Sequence, residues 1–256
     1  MPAPSEKGGL RKEEKIFYNK FFCFRILDND FVIFISQNIK SLYIMKQFSI
    51  GILLMCVFSA GGFAQGAKTM KLNKPDKSRG LAVMKAFSER KSDREFSNKA
   101  LNLQDLSDLL WAANGINRAD GKRTAPSAMN KQDIEVYVCM ADGAYLYDAA
   151  SHSLTLVSSG DYRGAVAGGQ DFVTKAPVSL VLVSDISKFS GDEQQRMLIG
   201  AMDAGIVSQN IAVFCAGTGL VTVPRLSMDQ GKLRSALKLK EGQKLMMNNP
   251  VGYPVK

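Results

Sequence analysis

The chain reads as an α+β fold whose strands are mainly antiparallel, and three observations carry that reading. Val178 to Val183 is an almost unbroken apolar run, which is the pattern of a strand buried on both faces. Asp192 to Cys215 carries apolar positions nearly all the way round a helix, so that helix is buried on most sides, centrally or in a subunit interface. Helical and strand-like segments also follow one another without strict alternation, which argues against a doubly wound sheet.

The elements follow in order. Residues 1–44 are rich in aromatics and Lys/Arg with no clear period, and read as an over-called leader or a disordered extension. From Met45 comes a basic start (Lys46), an apolar block from Ile50 to Phe58, and then small residues with Gly62 and Ala64 placed for cleavage. Residues 45–64 therefore read as a signal peptide, cleaved after Ala64. The block is shorter than the ~20 apolar residues of a comfortable span, which sets a membrane anchor second. Residues 65–78 are polar and lysine-rich and read as a mobile arm, and residues 79–256 as the folded domain.

Within that domain a helix is expected over Arg79 to Glu89, and a second over Leu103 to Asn114, with Gly115 placed to end it. Trp111 reads as packing, in the core or at an interface. A polar loop from Asn117 to Ser127 precedes alternating strands at Ile134–Val138, Tyr145–Tyr147 and Ser153–Val157. A helix over Tyr162 to Thr174, the buried strand and the long helix come next. Gly217 to Pro224 reads as a tight turn with a short strand, followed by a helix over Met228 to Leu237 and a strand over Gln243 to Met247.

The whole chain has 256 residues and a net charge of +9. Without residues 1–64, 25 Lys/Arg stand against 19 Asp/Glu, a balance that favours anionic ligands. No basic stripe is interleaved with aromatics, so nucleic acid is not expected as a partner. The single histidine, His152, leaves little room for a metal site or for Ser-His and Cys-His chemistry. Cys139 and Cys215 lie outside any CxxC pair and read either as two buried thiols or as one disulfide. Neither GxGxxG nor GxxxxGK[ST] is present, so a phosphate site would have to be built from side chains.

Three clusters could supply such a site. Arg90, Lys91, Ser92 and Arg94 put three cations and a hydroxyl into five residues, a spacing at which guanidinium groups can converge on one phosphate, although such a run alone is equally a solvated face. Ala125-Pro126-Ser127-Ala128-Met129-Asn130-Lys131-Gln132 forms a second cluster, and the tail Val251-Gly252-Tyr253-Pro254-Val255-Lys256 a third. Together with Asp203-Ala204-Gly205-Ile206-Val207-Ser208-Gln209-Asn210, and in this order, these segments resemble the nitroreductase family of FMN flavoproteins. Leu109 to Arg118 is most similar to the branch that includes azoline-forming dehydrogenases.

The resemblance implies a mixed, mainly antiparallel sheet flanked by helices, in an intertwined homodimer with FMN bound at the interface. It implies that Arg90, Ser92 and Arg94 hold the phosphate, with Lys91 beside them and Lys256 joining from the tail. Pro126, Ser127, Ala128 and Asn130, with Gln132 next to them, would contact the flavin from the other subunit. Gln170 would stand near its pyrimidine edge, and Gly217, Gly219 and Leu220 would let backbone approach the ring. The activity implied is two-electron transfer through FMN to a small organic substrate: a nitro compound, a quinone or a dehydrogenation substrate. NAD(P)H is the family's usual donor, and export would make it a doubtful one here. No stable membrane insertion is expected after signal cleavage, and no general acid or base stands out. The alternative is an exported flavin-binding module without turnover. One departure falls at Asp133, where many members carry proline.

Overall fold

The computed structural model describes residues 68–255. The leader, the signal segment and Lys256 lie outside the described residues. Seven strands form one sheet: β1 (Thr69–Lys71), β2 (Ile134–Cys139), β3 (Gly143–Asp148), β4 (Ser153–Ser159), β5 (Val178–Asp185), β6 (Val221–Thr222) and β7 (Gln243–Gly252). Their order is β1-β4-β3-β2-β5-β7-β6, and each pairing is antiparallel. Among the described residues five α-helices accompany it: α1 (Val83–Glu89), α2 (Leu103–Asn114), α3 (Arg163–Ala167), α4 (Glu193–Thr218) and α5 (Gln230–Ala236).

The sheet sits between two apolar clusters, and the two-residue period of its strands divides the side chains between them. Val136, Val138, Leu180 and Leu182 face one cluster together with Leu109 and Leu110 of α2 and Ala204, Val207 and Ile211 of α4. Tyr137, Cys139, Val181 and Val183 face the other, with Val166 of α3 and Leu233 of α5. The continuous apolar run of β5 follows from this double burial. Helix α4 is long and apolar enough, by length and composition alone, to cross a membrane. Its buried residues include Asp203 and Ser208, and Ser208 Oγ donates to Asn249 Oδ1 at 2.9 Å, so here it is a core helix laid on the sheet.

Several expected boundaries move. The 65–78 arm is not mobile over its described part: Thr69–Lys71 pairs with β4, Leu72 is buried, and Asp76 N–H donates to Asp108 Oδ1 at 2.8 Å. One apolar residue with a row of backbone bonds is enough to seat an otherwise lysine-rich edge strand. The helix expected over Tyr162 to Thr174 is broken by Gly168 and Gly169, both left-handed, into α3 and a 3-10 turn at Asp171–Lys175. The first helix begins at Val83 rather than Arg79, because Gly80 has a φ of 99° and Leu81 N–H is taken by Gly217 O. Strand β7 runs past Met247 to Gly252 in spite of Pro250. The Pro250 carbonyl accepts from Thr222 Oγ1, and the register of β6 has ended at that residue, so no ladder bond is lost. Cys139 and Cys215 are free and buried, which settles the pairing question in favour of two thiols.

Candidate functional site

The basic segment leaves α1 at Arg90 in an extended conformation (φ −63°, ψ 119°) and then runs along the β6 edge. Asp93 N–H donates to Thr222 O at 3.0 Å, Ser97 N–H donates to Tyr253 O at 2.9 Å, and Phe96 is buried against Ala176 and Val223. These anchors divide the cluster. Lys91 and Asp93 line a cavity of about 660 Å³ and pair with each other at 3.3 Å. The Asp93 carboxyl is held below the usual carboxylate range, first by the Glu95 N–H and also by Lys91. Arg90, Ser92 and Arg94 do not line that cavity. They are exposed, and their side chains have no hydrogen-bond or ion-pair partner among the described residues. Of the five predicted anion ligands, Arg90, Ser92 and Arg94 are thus exposed and unpaired, Lys91 lines the cavity and pairs with Asp93, and Lys256 lies outside the described residues.

The cavity is also lined by the C-terminal end of α4 (Cys215 to Thr218), by Gly219 and Leu220, and by Arg79, Gly80 and Pro254. Gly219 ends α4 in the left-handed region (φ 77°), which a residue with a side chain adopts at a cost, and a Cβ there would meet nothing within 4 Å. At Gly217, which has no positive φ, a Cβ would make an ordinary contact with Ala86 Cβ at 3.4 Å. Gly219 and Pro254 also border a second cavity of about 900 Å³, lined by Phe96, Lys99, Lys175 and Tyr253. Both walls are pinned by one network. Arg79 Nη1 meets Asp105 Oδ1 at 2.7 Å and Asp108 Oδ2 at 2.9 Å, and Tyr253 OH donates to Asp105 Oδ2. Sequence reading missed Arg79, Lys99 and Lys175 as lining residues, because they lie far apart along the chain and outside any dense cluster, whereas Tyr253 belongs to the tail cluster.

The second predicted cluster is elsewhere. Ala128–Asn130 forms a 3-10 turn, and Met129, Asn130 and Gln132 all have positive φ (52°, 51° and 47°). Such backbone persists only when its surroundings hold it. Here Ala128 N–H donates to Asp203 Oδ2 at 2.9 Å and Gln132 N–H donates to Ser127 Oγ at 2.8 Å. The Gln132 amide is occupied internally, accepting from Arg123 Nε at 3.1 Å and donating to Gly121 O at 3.1 Å. Pro126, Met129 and Asn130 remain exposed. Asp203 and Gly217 are both on α4, fourteen positions apart, so this loop and the glycine turn attach to points about 21 Å apart along the helix. One protomer does not bring the two clusters together.

Gln170 is also separate, lining neither cavity. It accepts from Arg225 Nε at 3.2 Å, and Arg225 is a buried guanidinium that also donates to Val166 O, Ala167 O and Asn248 Oδ1. Burial lowers the Arg225 pKa from the ordinary arginine value. Around the attachment point of the loop, α4 exposes Leu198, Met202 and Ile206, and α1 exposes Val83, Met84 and Phe87. Apolar exposure of that kind marks a contact surface.

Comparison with known proteins agrees with this fold. The family model described as the nitroreductase family matches residues 87–253. A candidate nitroreductase of Methanocaldococcus jannaschii is 30% identical over 199 residues, covering 73% of this chain and 98% of that protein. The crystal structure of a candidate nitroreductase from Ralstonia eutropha JMP134 superposes with a TM-score of 0.70 at 34% identity, covering 75% of this chain and 92% of that one. A further candidate nitroreductase structure, from Anabaena variabilis, shares the fold at 17% identity with a TM-score of 0.63, over 75% of this chain and 42% of that one. With its antiparallel sheet, its flanking helices and its matched segments from Phe87 to Tyr253, the chain belongs to the nitroreductase family.

Proposed function

We propose that the protein is an FMN-dependent oxidoreductase that works as a homodimer, passing two electrons to a small organic substrate. One observation carries this reading. Arg90, Ser92 and Arg94 stand exposed and unpaired at one end of α4, and the loop of residues 126–132 is fastened near the other, so a composite site forms only when a second copy supplies the missing half.

The residues fit the group. Two guanidiniums and a hydroxyl without partners suit a phosphate dianion, with Lys256 as a further cation from the tail. The open side of Gly219, next to Leu220, gives a planar ring room against backbone. Pro126, Ser127, Ala128 and Asn130 would present their loop to the ring held by the other copy, with Gln132 bracing that loop from within. Gln170, steadied by Arg225, would offer its amide to the pyrimidine edge. When bound, FMN supplies the hydride and electron chemistry. The chain's own part is to hold the phosphate, fix the ring and shape the adjoining cavity where Lys99 and Lys175 stand.

The likeness of Leu109–Arg118 to the azoline-forming branch supports kinship without a substrate. Its polar side chains serve the fold: Trp111 Nε1 donates to Ile116 O and Asn114 Nδ2 to Ile134 O. The signal-like segment from Met45 to Ala64 supports secretion or a periplasmic location. In that case a reduced carrier other than NAD(P)H would be the donor.

The test is an absorbance spectrum of the purified protein before and after denaturation, followed by steady-state reduction of a quinone and a nitro compound. Released FMN at about one copy per chain, with turnover, is the expected result. Bound flavin without turnover would leave a binding module, and failure to take up added FMN would overturn the reading.

A further inference from the structure

Beneath the loop of residues 126–132 lies a pair of carboxyls that forms no ion pair among the described residues, with Arg123 attracting Asp133 only from a distance. Asp133 is fully buried, and Asp203 is 5% exposed. Asp133 Oδ2 accepts from Ser184 Oγ of β5 at 2.5 Å, while its Oδ1 meets no donor among the described residues. Asp203 lies one turn from Gly200, where α4 meets Ser184 and through it Asp133; its carboxyl acts on that of Asp133, and its Oδ2 accepts the Ala128 N–H. The helix is pressed close here, since a Cβ at Gly200 would come to 2.5 Å of Ser184 Oγ.

The surrounding charged groups make their hydrogen bonds and ion pairs elsewhere, and Arg123, which attracts Asp133 through space, divides that attraction with Tyr147, Asp148 and Glu135. Arg123 donates to Gln132 Oε1 and to Ile134 O, and Lys188 Nζ donates to Gln132 O at 3.0 Å. On the sheet side, Glu135 accepts from Tyr137 OH and Gln243 Nε2, Asp185 accepts from Ser187, and Lys244 pairs with Glu193. Lys131 is exposed. A carboxylate only accepts hydrogen bonds, so two of them attract only when one carries a proton.

We propose that Asp133 and Asp203 share one proton and form a latch that holds the loop of residues 126–132 against α4, and that loss of this proton releases the loop. The shared proton sits on Asp133, whose O–H donates to Asp203, which in turn accepts the Ala128 N–H. Its departure to solvent leaves two buried negative charges, and their repulsion acts on the group that anchors the loop. The three left-handed residues above it then lose the hold that keeps them strained. Burial and the opposing Asp203 push the Asp133 carboxyl up to about 6, against the pull of Ser184. The latch is therefore closed in acid and opens as pH rises through that value. The inference rests on the proposed function only for its consequence, which is weaker FMN binding at higher pH.

Amide hydrogen exchange at Ala128, corrected for the intrinsic effect of pH and followed from pH 5 to 8 on the full chain, tests the latch without reference to FMN. Protection in the wild type should fall about tenfold or more across that range, as an acid more than one unit above its pKa is mostly ionised. Asp133→Asn keeps the donor and removes the titration, so its protection should stay high and flat. Asp203→Ala removes the acceptor and should leave the amide unprotected at both ends of the range. A pH-independent wild type, or an Asp133→Asn variant that falls in parallel with it, overturns the proposal. FMN titrations run separately keep the two readings apart. A pH-dependent latch in a protein that takes no FMN would sink only the flavin reading, and flavin binding with a pH-independent loop would sink only the latch.

Discussion

Arg90 and Arg94 spend their charge on nothing within the described residues, so their substitution should leave the fold intact while weakening an anion. Replacing both with alanine is expected to raise the Kd for FMN by about tenfold or more per guanidinium, read from a fluorescence titration, with an unchanged circular dichroism spectrum. Asp133 behaves in the opposite way. Its folded-state carboxyl is raised, so the unfolded chain gives up the proton first, and the group's contribution is greatest in acid and falls as pH rises from about 4 to about 6. The fall is about 3 kcal/mol at most, at 1.36 kcal/mol per unit. Urea denaturation at pH 4.5 and pH 7 should show it in the wild type and a smaller difference in Asp133→Asn. The two thiols are inert for a related reason: burial pushes Cys139 up to about 12 and Cys215 higher still. A thiol reagent should label them only on unfolding.

Among the elements, β1 and α4 repay a direct check. Leu72 follows the edge strand and is 5% exposed, so Leu72→Ala should cost about 2–4 kcal/mol in a denaturant melt, whereas a mobile arm would register no change. Helix α4 owes its closeness to β5 to Gly200. Gly200→Ala would drive a methyl into Ser184, and a loss of about 1–3 kcal/mol is expected despite the better helix propensity of alanine. The element-level misreadings share a cause. A helix over Tyr162–Thr174 is plausible on apolar spacing, and only the paired left-handed glycines with Arg225 capping the α3 carbonyls break it. Strand β7 was expected to end at the asparagines, yet Asn248 and Asn249 are buried within it, because Arg225 and Ser208 satisfy their amide oxygens.

For the whole molecule, the separation of the two clusters along α4 makes the proposed dimer a functional requirement. Met202 is 63% exposed and Ile206 37%, on α4 beside the point where the loop of residues 126–132 attaches. Met202→Glu with Ile206→Glu should turn a dimer into a monomer by light scattering, and the monomer should lose flavin while keeping its secondary structure. A wild type that is already monomeric with full flavin occupancy would contradict the composite site.

Periodicity alone determined the class of this protein, since the doubly buried β5 and the all-round apolar α4 can be satisfied only by helices packed on a sheet. The residue content of four short segments determined its family. The tertiary structure decided which of those residues stand together. Alternation along an extended segment turned Lys91 away from Arg90 and Ser92, and the length of α4 set the loop at 126–132 apart from Gly217. Burial then made Asp133 and Asp203 neighbours across seventy positions. Sequence spacing records which residues are near along the chain, while desolvation and hydrogen-bond geometry act between residues that only folding brings into contact.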